Sequence, residues 1–480
     1  MNAGHGRQAA SVFLEAARAA SDTDGYVFRR KAGLQLLASG YEDEAMPLLA
    51  DALEWLKVPP LSSPSDALHA LIPLREKLGA RGLLLATPLE PIAGDRLEQL
   101  DARLELATGL AVIDPPRAAP IAAQATLDAL DAGEPGRAVH ALWLYHVTVD
   151  VPQSTILRVP WQGALASAEE IAAPLDLPAA HARVLLATGL EALRLGQFRA
   201  TVRALDRAEE LLSTRCAGVA SELRLCRTAS LYASIVFCQT ERFARAELWA
   251  KEAEEHEDLV AATRLRLLSA LAIAIEGDVT RAERVASQAV LFWDRDRIDV
   301  TSALARFVTA NIALYRGVPE TAEHILHGLT GEETYSLDAA PLLRGDALLL
   351  RARLALLASL ERGTNAKHML DQAEHEAREL SALRVMTFEH PVRLLRAGIA
   401  AQRGDRDTAL ALLEAIAADP LAAPTMPFTL AAASWAKAKL IGAETGRLLA
   451  SSATNVLREH GVSDPAVFFG PLVLGIDNLD

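Results

Sequence analysis

Apolar residues recur along this chain every three to four positions, in runs long enough for helices, and short polar breaks separate the runs. Many of the breaks share one wording, Gly-x-x-x-x-Ala. It occurs as Gly40-Tyr-Glu-Asp-Glu-Ala45, Gly133-Glu-Pro-Gly-Arg-Ala138, Gly277-Asp-Val-Thr-Arg-Ala282, Gly317-Val-Pro-Glu-Thr-Ala322 and Gly404-Asp-Arg-Asp-Thr-Ala409, with a further copy at Gly4 to Ala9. Looser versions lie at Gly196 to Thr201 and at Glu241 to Ala246. Glycine can close one helix in a left-handed cap, polar residues make the turn, and a small alanine lets the second helix pack closely on the first. Repeated through a chain, such a turn predicts an array of helical hairpins, about eleven of them here.

The pattern divides the chain unevenly. Residues 1–145 read as an N-terminal sub-array with irregular segments near 58–66 and 84–94, where prolines interrupt the helical period. A turn at Asp22-Thr-Asp-Gly25 precedes a hairpin from Tyr26 to Lys57, and a helix is expected around Ala67 to Lys77. Asp114-Pro-Pro-Arg117 places proline at a helix start, where it is favourable. Residues 146–163 read as an irregular hinge, with His146 to Val151 as a loop or frayed helix end. Residues 164–480 form the second array, which ends in a docking tail at Phe468 to Leu474. Turns near 196, 241, 277 and 317 are spaced by 36 to 45 residues, longer than the 34 of a tetratricopeptide repeat. The segment after Gly4 reads as the second helix of a hairpin whose first helix is missing, which favours the chain being the tail of a longer polypeptide.

Composition supports helix throughout. Of 480 residues, 51% are hydrophobic and only 5% aromatic. The net charge of −14 disfavours a nucleic-acid backbone or an anionic membrane surface as partner. Cys216, Cys226 and Cys238 are too few and too far apart for a disulfide framework or a Cys-x-x-Cys metal pattern, which suits a reducing, cytoplasmic setting. No run approaches the roughly 20 apolar residues of a membrane span.

Candidate chemistry is sparse. Phosphate-binding loops, kinase motifs, the nucleophile elbow and the His-Glu-x-x-His pair are all missing from the sequence. Asp22-x-Asp24-Gly25 begins like a calcium loop, but Ala20 and Lys31 fall where carboxylates are needed, so a capped turn is the better reading. His324 and His327 beside Glu323 could chelate a metal, though spacing alone argues weakly for it. His368 and His375, with Glu374 and Glu376, read as an exposed charged face. Glu252, Glu254, Glu255, Glu257 and Asp258 around His256 read as a solvated helix end, with a docking patch for a basic partner as the alternative. Asp294 to Asp299 reads as a local ion-pair loop, and Trp55, Trp143, Trp249 and Trp293 as wedges on second helices. No residue is assigned as catalytic, cofactor-binding or metal-binding, and no cofactor is expected.

Several stretches carry a likeness. They are Arg29-Arg-Lys-Ala-Gly-Leu-Gln-Leu-Leu-Ala-Ser-Gly-Tyr-Glu-Asp-Glu-Ala45, Gly94-Asp-Arg-Leu-Glu-Gln-Leu-Asp-Ala-Arg-Leu-Glu-Leu-Ala-Thr-Gly-Leu110, Val112 to Arg117, Leu127 to Pro135, Leu205 to Ala220 and His460-Gly-Val-Ser-Asp-Pro465. Through them the chain resembles the C-terminal tetratricopeptide-like region of large bacterial serine/threonine protein kinases that also carry an AAA-type signalling ATPase module. The likeness spans essentially the whole chain, although residues 146–161 fit it poorly. It implies a regulatory, protein-binding array downstream of a kinase and a nucleotide switch, with both catalytic parts outside this chain.

The expectation is therefore an all-α, right-handed superhelical solenoid of degenerate tetratricopeptide-like helical hairpins. Its expected role is non-catalytic, binding a protein or peptide partner in bacterial signal transduction, with kinase and ATPase domains as candidates. One rival is a ligand-sensing repeat domain controlling an ATPase or transcription switch. The other is an enzyme with its site hidden around His146 and Asp150. A pocket with convergent polar groups would favour ligand sensing, and an open groove would favour peptide binding.

Overall fold

The computed structural model describes residues 5–58, 64–88, 94–150, 163–291, 293, 299–327, 340–360, 365–419 and 426–476. The Gly4 residue of the first turn, most of the 58–66 segment, residues 151–162 of the expected hinge, Asp294 to Ile298, and residues 420–425 lie outside the described residues. Among those described, the chain forms twenty-three α-helices and no strand.

The first half contains α1 (Gly6–Ala19), α2 (Asp22–Ala38), α3 (Glu42–Trp55), α4 (Pro64–Arg81), α5 (Gly94–Ile113), α6 (Pro115–Ala132), α7 (Pro135–Tyr145), α8 (Ala164–Ala172), α9 (Pro178–Arg194), α10 (Phe198–Arg215), α11 (Ala220–Val236) and α12 (Ala244–Glu255). The second half contains α13 (Leu259–Glu276), α14 (Val279–Ala289), α15 (Val300–Tyr315), α16 (Pro319–His327), α17 (Pro341–Ala358), α18 (Ala366–Ala382), α19 (Glu389–Gln402), α20 (Arg406–Ala417), α21 (Pro427–Ile441), α22 (Ala443–Glu459) and α23 (Pro465–Phe469). Helices adjacent in sequence pack in consecutive pairs, which is the arrangement of an all-α helical repeat.

The recurring turn behaves as its chemistry requires. Gly40, Gly133, Gly196, Gly277, Gly317 and Gly404 all adopt positive φ. Ala45, Ala138, Ala282, Ala322 and Ala409 are each wholly buried between the two helices of a hairpin. At the Glu241 version the left-handed residue is instead Cys238, at φ 54°, and a 3-10 turn at Thr240–Arg242 is inserted before α12. Lacking glycine, that hairpin turns three residues earlier than the spacing suggests.

Two further expectations are corrected. Helix α2 starts at Asp22, because Ser21 caps it by accepting from the Asp24 backbone N–H, so the expected turn at Asp22 to Gly25 is the first helical turn. Residues His146–Asp150 are neither loop nor frayed end. They continue α7 as a π-helical turn, with His146, Thr148 and Val149 buried against α6 and α8. One apolar cluster takes in Tyr145, Val149, Ala164 and Ala168 together, and it reaches on to Val260 of α13 and Trp293.

Hairpins far apart in sequence also touch. The Leu259 backbone N–H donates to Ser39 O (3.1 Å), Arg264 to Val112 O (2.7 Å), and the Tyr232 hydroxyl to Asp346 (2.6 Å). Thr387 donates to Leu193 O, and Thr240 to His460 O across 220 residues (2.7 Å). The tail docks as expected: Phe468, Phe469, Val473 and Ile476 are buried, and Gln402 donates to Gly475 O (2.6 Å).

Candidate ligand-binding cavity

From α11 onward the first helix of each hairpin buries more of its residues than the second does. Fourteen of the eighteen residues of α13 are buried, against two of the eleven in its partner α14. A helix buried all round must have neighbours on every side. For the first helices α9, α11, α13, α15 and α17, and for the second helix α7, one of those sides is a shared, partly open cavity of about 250 Å³. Its walls are mostly aliphatic, from Val112 of α5 to Leu342 beyond the start of α17.

A few polar groups border this space. Trp143 reaches it from α7, with its indole N–H buried and without a hydrogen-bond acceptor. Thr228 of α11 likewise has a buried hydroxyl with no partner. Arg264 of α13 is wholly buried; its Nε donates to Thr301 Oγ1 (2.9 Å) and a terminal nitrogen to Val112 O (2.7 Å). Burial lowers the guanidinium to about 10, opposed by the Asp299 carboxylate, so it remains a cation at neutral pH. Arg194 of α9 is held by Glu191 at 2.6 Å. His146 is driven down to about 4, chiefly by burial and then by Arg194, and is therefore neutral at pH 7.

Tyr232 of α11 also borders a second, smaller cavity of about 140 Å³. There its hydroxyl donates to Asp346, and Arg353, Tyr315 and Asn311 stand nearby. Burial raises the Asp346 carboxyl to about 7, opposed by the Tyr232 hydrogen bond and by Arg353.

The residues singled out by sequence are scattered. His324, His327, His368 and His375 are exposed, while Glu376, expected on a charged face, is buried and paired with Arg351 at 2.7 Å. The acidic run is largely engaged with arginines of its own array: Glu252 with Arg227 (3.0 Å), Glu254 with Arg266 (2.7 Å) and Asp258 with Arg224 (2.6 Å). Asp299 caps α15, accepting from the Ser302 backbone N–H (2.8 Å). Trp143 and Trp249 both lie on second helices as expected, and Trp143 also borders the cavity. Of the pair named for a hidden enzyme site, His146 borders the cavity, and the Asp150 side chain lies outside the description.

Sequence reasoning passed over Arg264. The available signal was a cation in the middle of the most apolar helix, Leu259–Glu276, where an arginine is costly unless its donors are satisfied. No family model matches the chain, and no curated protein matches it.

Proposed function

We propose that this chain is a non-catalytic regulatory module in bacterial signal transduction, built from degenerate tetratricopeptide-like hairpins wound as a right-handed superhelical solenoid. It works in the cytoplasm, docks a protein or peptide partner, and serves kinase and ATPase domains of the kind its sequence resembles. The observation that supports this most is the packing of consecutive helices in pairs, with a buried first helix and a half-exposed second helix clearest at α13/α14 and α15/α16. Stacked hairpins of this kind present an extended surface whose side chains can vary without disturbing the core. Leu248 of α12, Leu291 beyond α14 and Leu448 of α22 are large apolar side chains exposed on or beside second helices. The test is cross-linking in native cells followed by purification of the intact chain and measurement of complex mass. A stoichiometric complex with a kinase- or ATPase-containing protein is expected, and a monomer with no cross-linked partner counts against the reading.

The cavity favours a second reading, a ligand-sensing repeat domain. Five first helices together with α5 and α7 share one wall system, so a molecule bound there would bear on hairpins far apart in sequence.

A further inference from the structure

An apolar interior normally closes on itself, and buried polar groups within it are normally paired. The cavity between α5, α7, α9, α11, α13, α15 and α17 departs from both rules. Its space of about 250 Å³ exceeds the roughly 150 Å³ that holds benzene in an engineered core. An occupant of about ten non-hydrogen atoms fits that comparison. Two of the bordering groups, the Trp143 indole N–H and the Thr228 hydroxyl, are buried without partners. An indole N–H can only donate, so it calls for an acceptor on the occupant. The Arg264 guanidinium adds a positive charge to the same wall; its hydrogen bonds go to Thr301 Oγ1 and Val112 O, and the Asp299 carboxylate acts on it from nearby.

We infer that this cavity binds a medium-chain acyl compound, with its hydrocarbon chain along the aliphatic walls and its carbonyl or carboxylate oxygen accepting from Trp143 Nε1 and Thr228 Oγ1 near Arg264. The inference rests on the ligand-sensing reading and gives that reading a ligand class. A cationic head group fits badly, because it brings donors and positive charge to a wall that already holds both. Carboxylate and neutral carbonyl ligands share the acceptor oxygen, and only the first gains from the charge of Arg264.

The experiment titrates the intact 480-residue chain with decanoate, 2-decanone and decylammonium by calorimetry, below the concentration at which each aggregates. Saturable one-to-one binding of decanoate or 2-decanone is expected, at least tenfold tighter than decylammonium. Decanoate binding tighter than 2-decanone identifies the acid as the preferred form, and the reverse identifies a neutral carbonyl. Trp143→Phe keeps the ring and removes the donor, and should weaken the acyl ligands about three- to tenfold while leaving decylammonium unchanged. Thr228→Val is the second probe should the tryptophan variant fold poorly, as judged by circular dichroism. Equal binding of all three probes, unaffected by either variant, would overturn the acyl assignment and leave the ligand-sensing reading standing. Absence of saturable binding by any of the three would overturn both.

Discussion

The two helices of one hairpin have opposite relations to solvent, although they are joined by a tight turn. Helix α13 carries aliphatic side chains on every face, with Arg264 buried among them, whereas α14 buries only Ala282 and Ala286 and leaves the rest of its surface half-exposed or exposed. The same contrast separates α15 from α16 and α21 from α22. In these hairpins the first helices hold most of the core. Second helices cover them, and those of their charges that are exposed cost little to change.

The largest separation between the two sets is expected from their ion pairs. Arg224 of α11 and Asp258 are nearly buried, at 2% and 13% side-chain exposure, and Arg224→Ala leaves the carboxylate uncompensated. The expected loss is about 3–5 kcal/mol in urea unfolding. Lys251 and Glu255 on α12 are 69% and 63% exposed, and Lys251→Ala should leave the unfolding midpoint where it is. Comparable losses for both variants would erase the distinction.

Aliphatic truncations should follow the same order. Leu267→Ala in α13 removes a wholly buried side chain and should cost about 2–5 kcal/mol. Leu248→Ala in α12, 66% exposed, should stay within about 0.5 kcal/mol.

The dependence on pH tests two groups of the buried set. Asp346 keeps its proton in the folded state up to about pH 7, while the unfolded chain releases it near 3.8. Its contribution is thus full below pH 3.8 and is lost as the pH rises through 7. His146, held near 4 when folded, takes up a proton below about 6.5 when unfolded, so its contribution is lost as the pH falls from 6.5 toward 4. Urea midpoints measured in half-unit steps should show Asp346→Asn flattening the decline toward neutral pH and His146→Gln flattening the acid side. Unchanged slopes in the two variants would remove these groups from the account.

The smallest effects lie in the turns that join the two kinds of helix. Gly317 has φ +79° and open space beside it, so Gly317→Ala should cost about 1–2 kcal/mol through the left-handed backbone alone. At Gly277, φ +107°, an added Cβ would also lie 2.6 Å from Ser463 Oγ and 3.3 Å from the Asp464 backbone nitrogen. Gly277→Ala should therefore exceed Gly317→Ala in the same unfolding assay, and equal costs would mean that the tail does not press on that turn.

Much of the helical pairing was legible because its causes are local. Glycine at a left-handed position and alanine five residues on are short-range requirements, and the helix expected around Ala67 to Lys77 appears within α4 where the 3.6-residue period places it. Legibility failed where one residue's neighbours came from other hairpins. Glu376 looked like part of an exposed face until Arg351 covered it. Trp143 was legible as a wedge on a second helix but not as a wall of the cavity, because the period shows which side of a helix is apolar and not what that side meets. The unpaired indole was invisible for the same reason.

Local spacing settled that the chain is a succession of helical hairpins and where most of them turn, since a helix is decided by residues three and four apart and a cap by one backbone angle. The interior belongs to tertiary structure. Val112 meets Arg264 across 152 residues and Tyr232 meets Asp346 across 114, because hairpins far apart in sequence pack side by side. No window of sequence contains those contacts, so the cavity that Trp143, Thr228 and Arg264 share exists only once distant hairpins have packed together.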